Sequence, residues 1–133
     1  MDTSFLVAVY DRTDALHSSC METHAAIDSP LVTCEPVISE TLYLLRFVRG
    51  AAGAILASIE QGALEIPFKL RTSAARVRKL MEKYVDLPVS FADACLIQMA
   101  DELDTADILT LDRDFLNYRW RRNRCFNLLV PLD

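Results

Sequence analysis

Residues 31–48, L-V-T-C-E-P-V-I-S-E-T-L-Y-L-L-R-F-V, decide the fold class. Leu31–Cys34 is a short run that follows the Ser29-Pro30 break, and it reads as a buried strand. Pro36 then opens a helix, at a position where its missing N–H costs nothing. That helix carries Glu40, Leu44, Phe47 and Val48 before Gly50. A strand feeding a helix in this way is the repeating step of an α/β chain.

The same alternation extends in both directions. Upstream, Phe5–Tyr10 is a β-like apolar run, and a helix follows through Ile27. Downstream, Ala51–Ile59 reads as a second helix closed near Gly62, and Leu64–Phe68 as another short strand. Thr72 has the chemistry of an N-cap, with Val77, Leu80, Met81 and Tyr84 at core-facing spacing, and Pro88 ends that helix. Ser90-Phe91-Ala92-Asp93 has capping-box spacing, with Asp for the usual Glu or Gln, and Leu96, Met99, Ala100 and Leu103 continue an apolar face. Ile108–Thr110 is a strand, Arg113–Tyr118 a short helix, and Phe126–Val130 a last strand. The expected fold is α/β: one domain over residues 1–133, with a central parallel β-sheet flanked by helices. There is no internal repeat and no linker.

Composition narrows the class further. The chain has 133 residues, enough to bury a core without staples, and its hydrophobic fraction is 52%. The longest apolar runs, such as Ala51–Ala57, are too short to span a bilayer, and no secretory signal is visible. Cys20, Cys34, Cys95 and Cys125 are scattered with no C-x-x-C pair, which excludes zinc-finger and thioredoxin readings. They read as buried free thiols in a reducing cytoplasm. His17 and His24 read as surface or cap residues. The net charge of −5 excludes a general polycation for nucleic acid, but the charge is unevenly placed. Residues 1–40 hold seven acids against Arg12 alone, whereas Lys69, Arg71, Arg76, Arg78, Lys79 and Lys83 face only Glu82 within residues 69–83. Arg119, Arg121, Arg122 and Arg124 crowd near the C-terminus. A metal-binding acidic site beside basic flanks fits this pattern.

In a parallel α/β sheet, ligands sit beyond the carboxyl ends of the strands. Asp2, Asp93 and Asp112 lie close to such points, and Glu40 lies about one turn into the helix that follows another strand. Singly, each has a plain structural explanation as a helix cap or a first-turn acid. Jointly, Glu40 and Asp93 interrupt apolar surroundings, which predicts burial at a rim. Two carboxylates ~4 Å apart repel by ~4 kcal/mol at an effective dielectric near 20, so a cluster needs a counter-cation. Apart from Arg113, no lysine or arginine lies within these motifs. Mg²⁺ or Mn²⁺, hard ions with oxygen ligands, would answer that need.

Four segments in order, D-T-S-F-L (2–6), P-V-I-S-E-T-L-Y-L-L (36–45), S-F-A-D-A-C-L (90–96) and L-T-L-D-R-D-F (109–115), resemble a PIN domain. The resemblance is greatest to the VapC-like ribonuclease toxins of bacterial and archaeal toxin–antitoxin modules, and it covers nearly the whole chain. It implies a metal-dependent endoribonuclease with Asp2, Glu40, Asp93 and Asp112 as its acidic quartet. Thr3, Ser4, Thr110 and Asp114 would lie in or beside that site. It further implies an RNA substrate, an antitoxin partner that plugs the site, and a homodimer. It also implies several strand residues before the leading aspartate, whereas Met1 alone precedes Asp2; either the central strand is short or the chain begins late.

The mechanism that follows is phosphodiester hydrolysis, with Asp2 and Asp93 as direct metal ligands and Glu40 and Asp112 acting through water or orienting the nucleophile. The basic segments would hold the RNA backbone or, on a plainer reading, form ion pairs and a solvated face. A catalytically silent PIN-like scaffold is the alternative, although such a copy has no reason to keep four like charges together. An aspartyl phosphatase or phosphotransferase would want D-x-D after the first strand, and here that pattern occurs only at Asp112–Asp114. The Thr41–Val48 and Ala51–Ile59 helices are apolar around much of their circumference, which supplies a physical basis for dimerisation, with Leu45 and Ile55 as expected contacts.

Overall fold

The structure, a computed structural model, describes residues 1–87 and 89–132. Six α-helices are described: α1 (Thr3–Tyr10), α2 (His17–Ala25), α3 (Glu35–Leu44), α4 (Ala51–Glu60), α5 (Leu70–Lys83) and α6 (Phe91–Leu103). Between and after them run β1 (Leu31–Val32), β2 (Leu64–Glu65), β3 (Asp107–Ile108), β4 (Arg119–Trp120), β5 (Arg124–Cys125) and β6 (Asn127–Leu128), with a 3₁₀ turn at Arg113–Leu116. Pro88, expected to end α5, lies outside the described residues.

β1 pairs in parallel with β2, Leu31 opposite Leu64, and β3 in parallel with β6, Ile108 opposite Leu128. Met1 and Asp2 join the two ladders. The backbone nitrogen of Met1 donates to the Val32 carbonyl at 2.5 Å, and that of Asp2 to the Leu109 carbonyl at 2.9 Å. Thr33 Oγ1 adds a bond to the Met1 carbonyl at 2.7 Å. These two residues therefore stand in the middle of the sheet, and they set Asp2 at its carboxyl edge. The expected parallel sheet is present, with short strands.

The sheet is covered on both faces. One apolar cluster gathers Val37, Ile55, Leu64, Val77, Leu96, Phe115 and Trp120; a second joins Phe5, Ala8, Cys20, Leu109 and Val130. Met1 and Leu31 touch both clusters, as residues at the middle of a sheet should. α6 is the central helix, buried at every position from Ala92 to Ala100. A helix apolar all round belongs inside. Its start is fixed by Ser90, whose hydroxyl accepts from the Asp93 N–H at 3.0 Å.

Several elements differ from the sequence reading. Phe5–Tyr10, expected as a strand, lies within helix α1. A short apolar run does not distinguish the two states; the cap does, because Asp2 accepts from the Thr3 N–H at 2.6 Å and starts a helix there. α3 stops at Leu44, short of Val48, in a turn that ends at Gly50 with φ of 79°. The N-cap of α5 is Lys69; Thr72 sits in the first turn and bonds back to the Lys69 carbonyl at 3.1 Å. β4 and β5 form an antiparallel hairpin that the sequence did not announce. Its turn places Arg121 and Arg122 at φ of 38° and 71°, where glycine or asparagine is the usual signal. Asp101 and Asp104 hold the Arg121 guanidinium at 2.8 and 2.6 Å, which helps to fix that turn. Cys20, Cys34 and Cys95 are buried free thiols as expected, but Cys125 is exposed. Among the described residues, no helix is long and apolar enough to cross a membrane.

Candidate metal centre

Three elements bring three aspartates to one point. Asp2 ends the central strand and caps α1; Asp93 sits at the third position of α6; Asp112 follows β3 and caps the 3₁₀ turn by accepting from the Asp114 N–H at 2.9 Å. One carboxylate oxygen from each lies within 4.8 Å of the others. Asp2 is 5% exposed and Asp93 9%. At such spacing like charges repel by a few kcal/mol, so the arrangement is unfavourable for three free carboxylates.

Hydroxyl groups hold the cluster. Thr110, fully buried, donates to Asp2 Oδ2 at 2.7 Å, and its oxygen accepts from the Asp112 N–H at 3.0 Å. Ser4 Oγ lies 3.3 Å from the same Asp2 oxygen and accepts from the Leu111 N–H at 2.9 Å. Thr110→Val keeps the shape but leaves Asp2 and the Asp112 N–H short of a partner. We expect a loss of about 1–3 kcal/mol in stability, read from denaturant midpoints; an unmoved midpoint would mean that water replaces the hydroxyl.

Glu40 stands apart from the three. Its side chain is exposed on α3, so the expected burial at a rim does not hold for it. Thr3 Oγ1 donates to Glu40 Oε2 at 2.9 Å, which ties it to the residue beside Asp2. All four acids line one cavity of about 500 Å³, with Thr3, Ser4 and Asp114 also on its wall. Asp114 is exposed. Sequence reasoning missed Asp14 and Ser90, which line the same cavity, and Tyr118, whose hydroxyl points at Asp93 Oδ2 from 3.4 Å. Tyr118 is 1% exposed, on a segment read only as helix end, and no spacing rule marks it.

The cavity is electrostatically one-sided. Six carboxylates line it, and among its described lining residues there is no lysine, arginine or histidine. Burial first, then the neighbouring charge of Asp2, pushes the Asp93 carboxyl up from its ordinary 3.8 to about 6. Hydrogen bonds from Ser90 oppose that rise. Asp2 is also raised, again mainly by burial, against the pull of the Thr110 hydroxyl and the Thr3 N–H. Desolvation, more than mutual repulsion, is therefore what makes the charged cluster costly. Crowded carboxylate oxygens, two of the three groups buried, fit a hard divalent cation.

Residues 1–121 match the PIN domain family. This chain is a PIN domain. Ribonuclease VapC26 of Mycobacterium tuberculosis is 31% identical to it over 115 residues, spanning 85% of each protein. The crystal structure of Mycobacterium tuberculosis VapC20, described as a sarcin–ricin loop cleaving toxin, superposes with a TM-score of 0.71 at 24% identity. It covers 85% of this chain and 88% of VapC20, and it shares the PIN fold described above.

Proposed function

We propose that this PIN domain is a metal-dependent endoribonuclease, the toxin of a toxin–antitoxin pair acting in the cytoplasm. The observation that carries the reading is the trio of aspartates, Asp2 and Asp93 buried and Asp112 half-buried, within 4.8 Å in a cavity with no cation among its described lining residues. A ribonuclease relative and a toxin of the same fold supply the substrate class.

Asp2, Asp93 and Asp112 would hold Mg²⁺ or Mn²⁺, with Glu40 reaching it through water. Such an ion lowers the pKa of a bound water and neutralises charge that builds on the phosphate. The chain's own contribution is positioning. Ser4, Thr110 and the Thr3 N–H fix the Asp2 carboxylate; the Ser90 cap fixes the turn that carries Asp93; Thr3 restrains Glu40. Asp114, exposed at the mouth, is available to orient water on the substrate side.

The basic segments support backbone binding. Arg76, Lys79 and Lys83 of α5 meet Arg119, Arg121 and Arg122 of the hairpin around one cavity. The ion-pair reading accounts for two of them, since Arg76 and Arg121 face Asp101 at 3.5 and 2.8 Å. Lys79 and Arg122 make no ion pair among the described residues and are suited to phosphate contacts. Cleavage of labelled RNA in Mg²⁺ or Mn²⁺, compared with chelator and with Asp93→Asn, tests the function. Equal cleavage in chelator would overturn it.

The proposed partners are an antitoxin and a second copy. An antitoxin arginine entering the acidic cavity would replace the metal's charge. For the homodimer, the side chains first expected at the contact are core: Leu45 is 2% exposed and Ile55 0%, because the turn after α3 folds Leu45 inward. The exposed apolar surface is instead Tyr43, Leu44, Phe47 and Leu56, with Phe47 at 87%. Arg46 lies over the Tyr43 and Phe47 rings at 4.1 and 4.6 Å. We expect a dimer by light scattering at micromolar concentration and a folded monomer for Phe47→Glu, whose thermal midpoint no longer depends on protein concentration. Leu45→Glu should unfold the chain, since it buries an unpaired charge. A monomeric parent protein would remove the dimer.

A further inference from the structure

A second cavity adjoins the acidic one and has a different chemistry. A cleft of about 600 Å³ opens where the N-terminal turns of α3, α5 and α6 meet. Its volume lies within the usual range for small-molecule sites, about 300–1,000 Å³. Pro36, Phe68, Leu70 and Phe91 supply apolar walls, and Ala92 lies among them with 1% exposure. Phe68 is buried at 7% exposure, whereas Phe91 keeps 39% of its surface in solvent. Glu40 lines both cavities, and Phe91 and Ala92 directly precede Asp93 on α6. Whatever occupies the cleft therefore lies beside the metal-binding aspartates.

The polar groups of the cleft are mostly acceptors: the carboxylates of Glu35 and Glu40 and the hydroxyl of Ser39, with Lys69 as the one described lining cation. Among the described residues, the side chains of Glu35, Ser39 and Lys69 have no hydrogen-bond or ion-pair partner. A phosphate there would meet the Glu35 and Glu40 carboxylates as well as Lys69 and the helix N-termini, so its charge is opposed by the two acids, whereas a neutral group meets no such opposition. A flat, neutral ring with N–H donors on its edge fits both the apolar wall and the acceptors. Single-stranded RNA presents such rings: unstacked bases lie on aromatic side chains and are read along their Watson–Crick edges. A base next to a phosphodiester bound at the aspartates is tethered at the mouth of this cleft.

We propose that the cleft between α3, α5 and α6 receives the nucleobase adjacent to the scissile phosphodiester, with Phe91 against its face and Glu35 and Ser39 accepting from an amino-bearing edge. This rests on the endoribonuclease reading. Guanine fits best, because its neighbouring N1–H and N2–H donors match one carboxylate. Uracil fits worst, because carbonyl oxygens flank its single N–H and would face the acceptors.

The test separates base recognition from catalysis. Fluorescence anisotropy on a cleavage-deficient Asp93→Asn background measures the affinity of oligouridine and of the same strand with one guanosine. The guanosine strand should bind roughly 10-fold more tightly, the discrimination of one bidentate pair. Glu35→Gln should erase that preference, weakening the guanosine strand and easing oligouridine binding, because an amide also donates to carbonyl oxygens. Phe91→Ala should weaken both strands roughly 10-fold through lost stacking. Phe91→Leu keeps the apolar volume without the aromatic face and guards against a folding defect. In the cleaving protein, the same Glu35→Gln change should broaden the cleavage sites. Equal binding of both strands with no effect of the Glu35 and Phe91 variants overturns the inference. So does a result in which those variants weaken only an antitoxin complex, because the cleft then serves a protein segment. Failure of the nuclease reading appears separately, as no RNA cleavage by the unmodified chain in Mg²⁺ or Mn²⁺.

Discussion

Asp93→Asn is expected to lower RNA cleavage by about 10²–10³-fold, the usual loss when one preorganised charge-stabilising group is removed, while leaving the fold intact. The substitution is nearly isosteric. The cap of α6 survives, because the bond from position 93 to Ser90 Oγ is donated by the backbone. The asparagine oxygen still accepts from Tyr118. What disappears is a charge that the folded protein tolerates poorly, since burial and the Asp2 charge raise this carboxyl from 3.8 to about 6. The sign of the stability effect follows. As pH rises from about 3.8 to about 6, the unfolded chain loses this proton before the folded one does. The contribution of Asp93 is thus fully present below that window and is lost across it. Metal-free thermal midpoints of the parent should therefore fall, relative to Asp93→Asn, between those two pH values. Cleavage by Asp93→Asn within a factor of a few of the parent would sink the assignment and favour a scaffold whose acids are incidental.

The α/β class and the grouping of the four acids around one cavity were legible in the sequence; the placement of individual elements was less so. Four acids were recognised from the order of short motifs, and all four line one cavity, because each motif ends or begins an element at the same sheet edge. The central strand was misplaced for a physical reason. Phe5–Tyr10 is apolar enough for a strand or for a helix buried on several sides, and one carboxylate cap at Asp2 tips it to the helix. The strand's role passes to Met1 and Asp2, which bond on both sides through their backbones, where sequence carries little information. The hairpin at Arg119–Cys125 was invisible because arginines occupy positive-φ positions that normally announce themselves with glycine. Glu40 was expected inside because its neighbours are apolar, yet it faces outward while Val37, Ile38 and Thr41 carry that helix's burial. The same reasoning misjudged Leu45, since a helix that stops at Leu44 instead of running to Val48 turns the following side chain into the core. Asp14 reaches the cavity, and Tyr118 reaches Asp93, only through tertiary placement, whereas Ser90 lines the cavity as the cap of α6.

Divalent metal is expected to stabilise the folded chain markedly, and its size and pH dependence identify where it binds. At a hundred times its dissociation constant, Mg²⁺ or Mn²⁺ stabilises by about 2.7 kcal/mol if it ignores the unfolded state. For a chain of this length that corresponds to roughly 10 °C in thermal midpoint. Two causes make the shift specific to the three aspartates. The ion relieves repulsion among oxygens within 4.8 Å of one another, and it compensates carboxylates whose burial disfavours charge. Because Asp93 retains its proton up to about 6, protons compete with the metal below that value. The shift should therefore be large at neutral pH and shrink as pH falls through about 6. Asp93→Asn should remove most of the shift at neutral pH, and Thr110→Val should reduce it, because Asp2 then loses the hydroxyl that aims its Oδ2. Asp86, exposed after α5 and not among the residues that line the acidic cavity, serves as the control. Asp86→Asn should leave the shift unchanged. If Asp93→Asn and Asp86→Asn respond to metal alike, the stabilising ion sits elsewhere, and the aspartate trio loses its role as the centre of the chemistry.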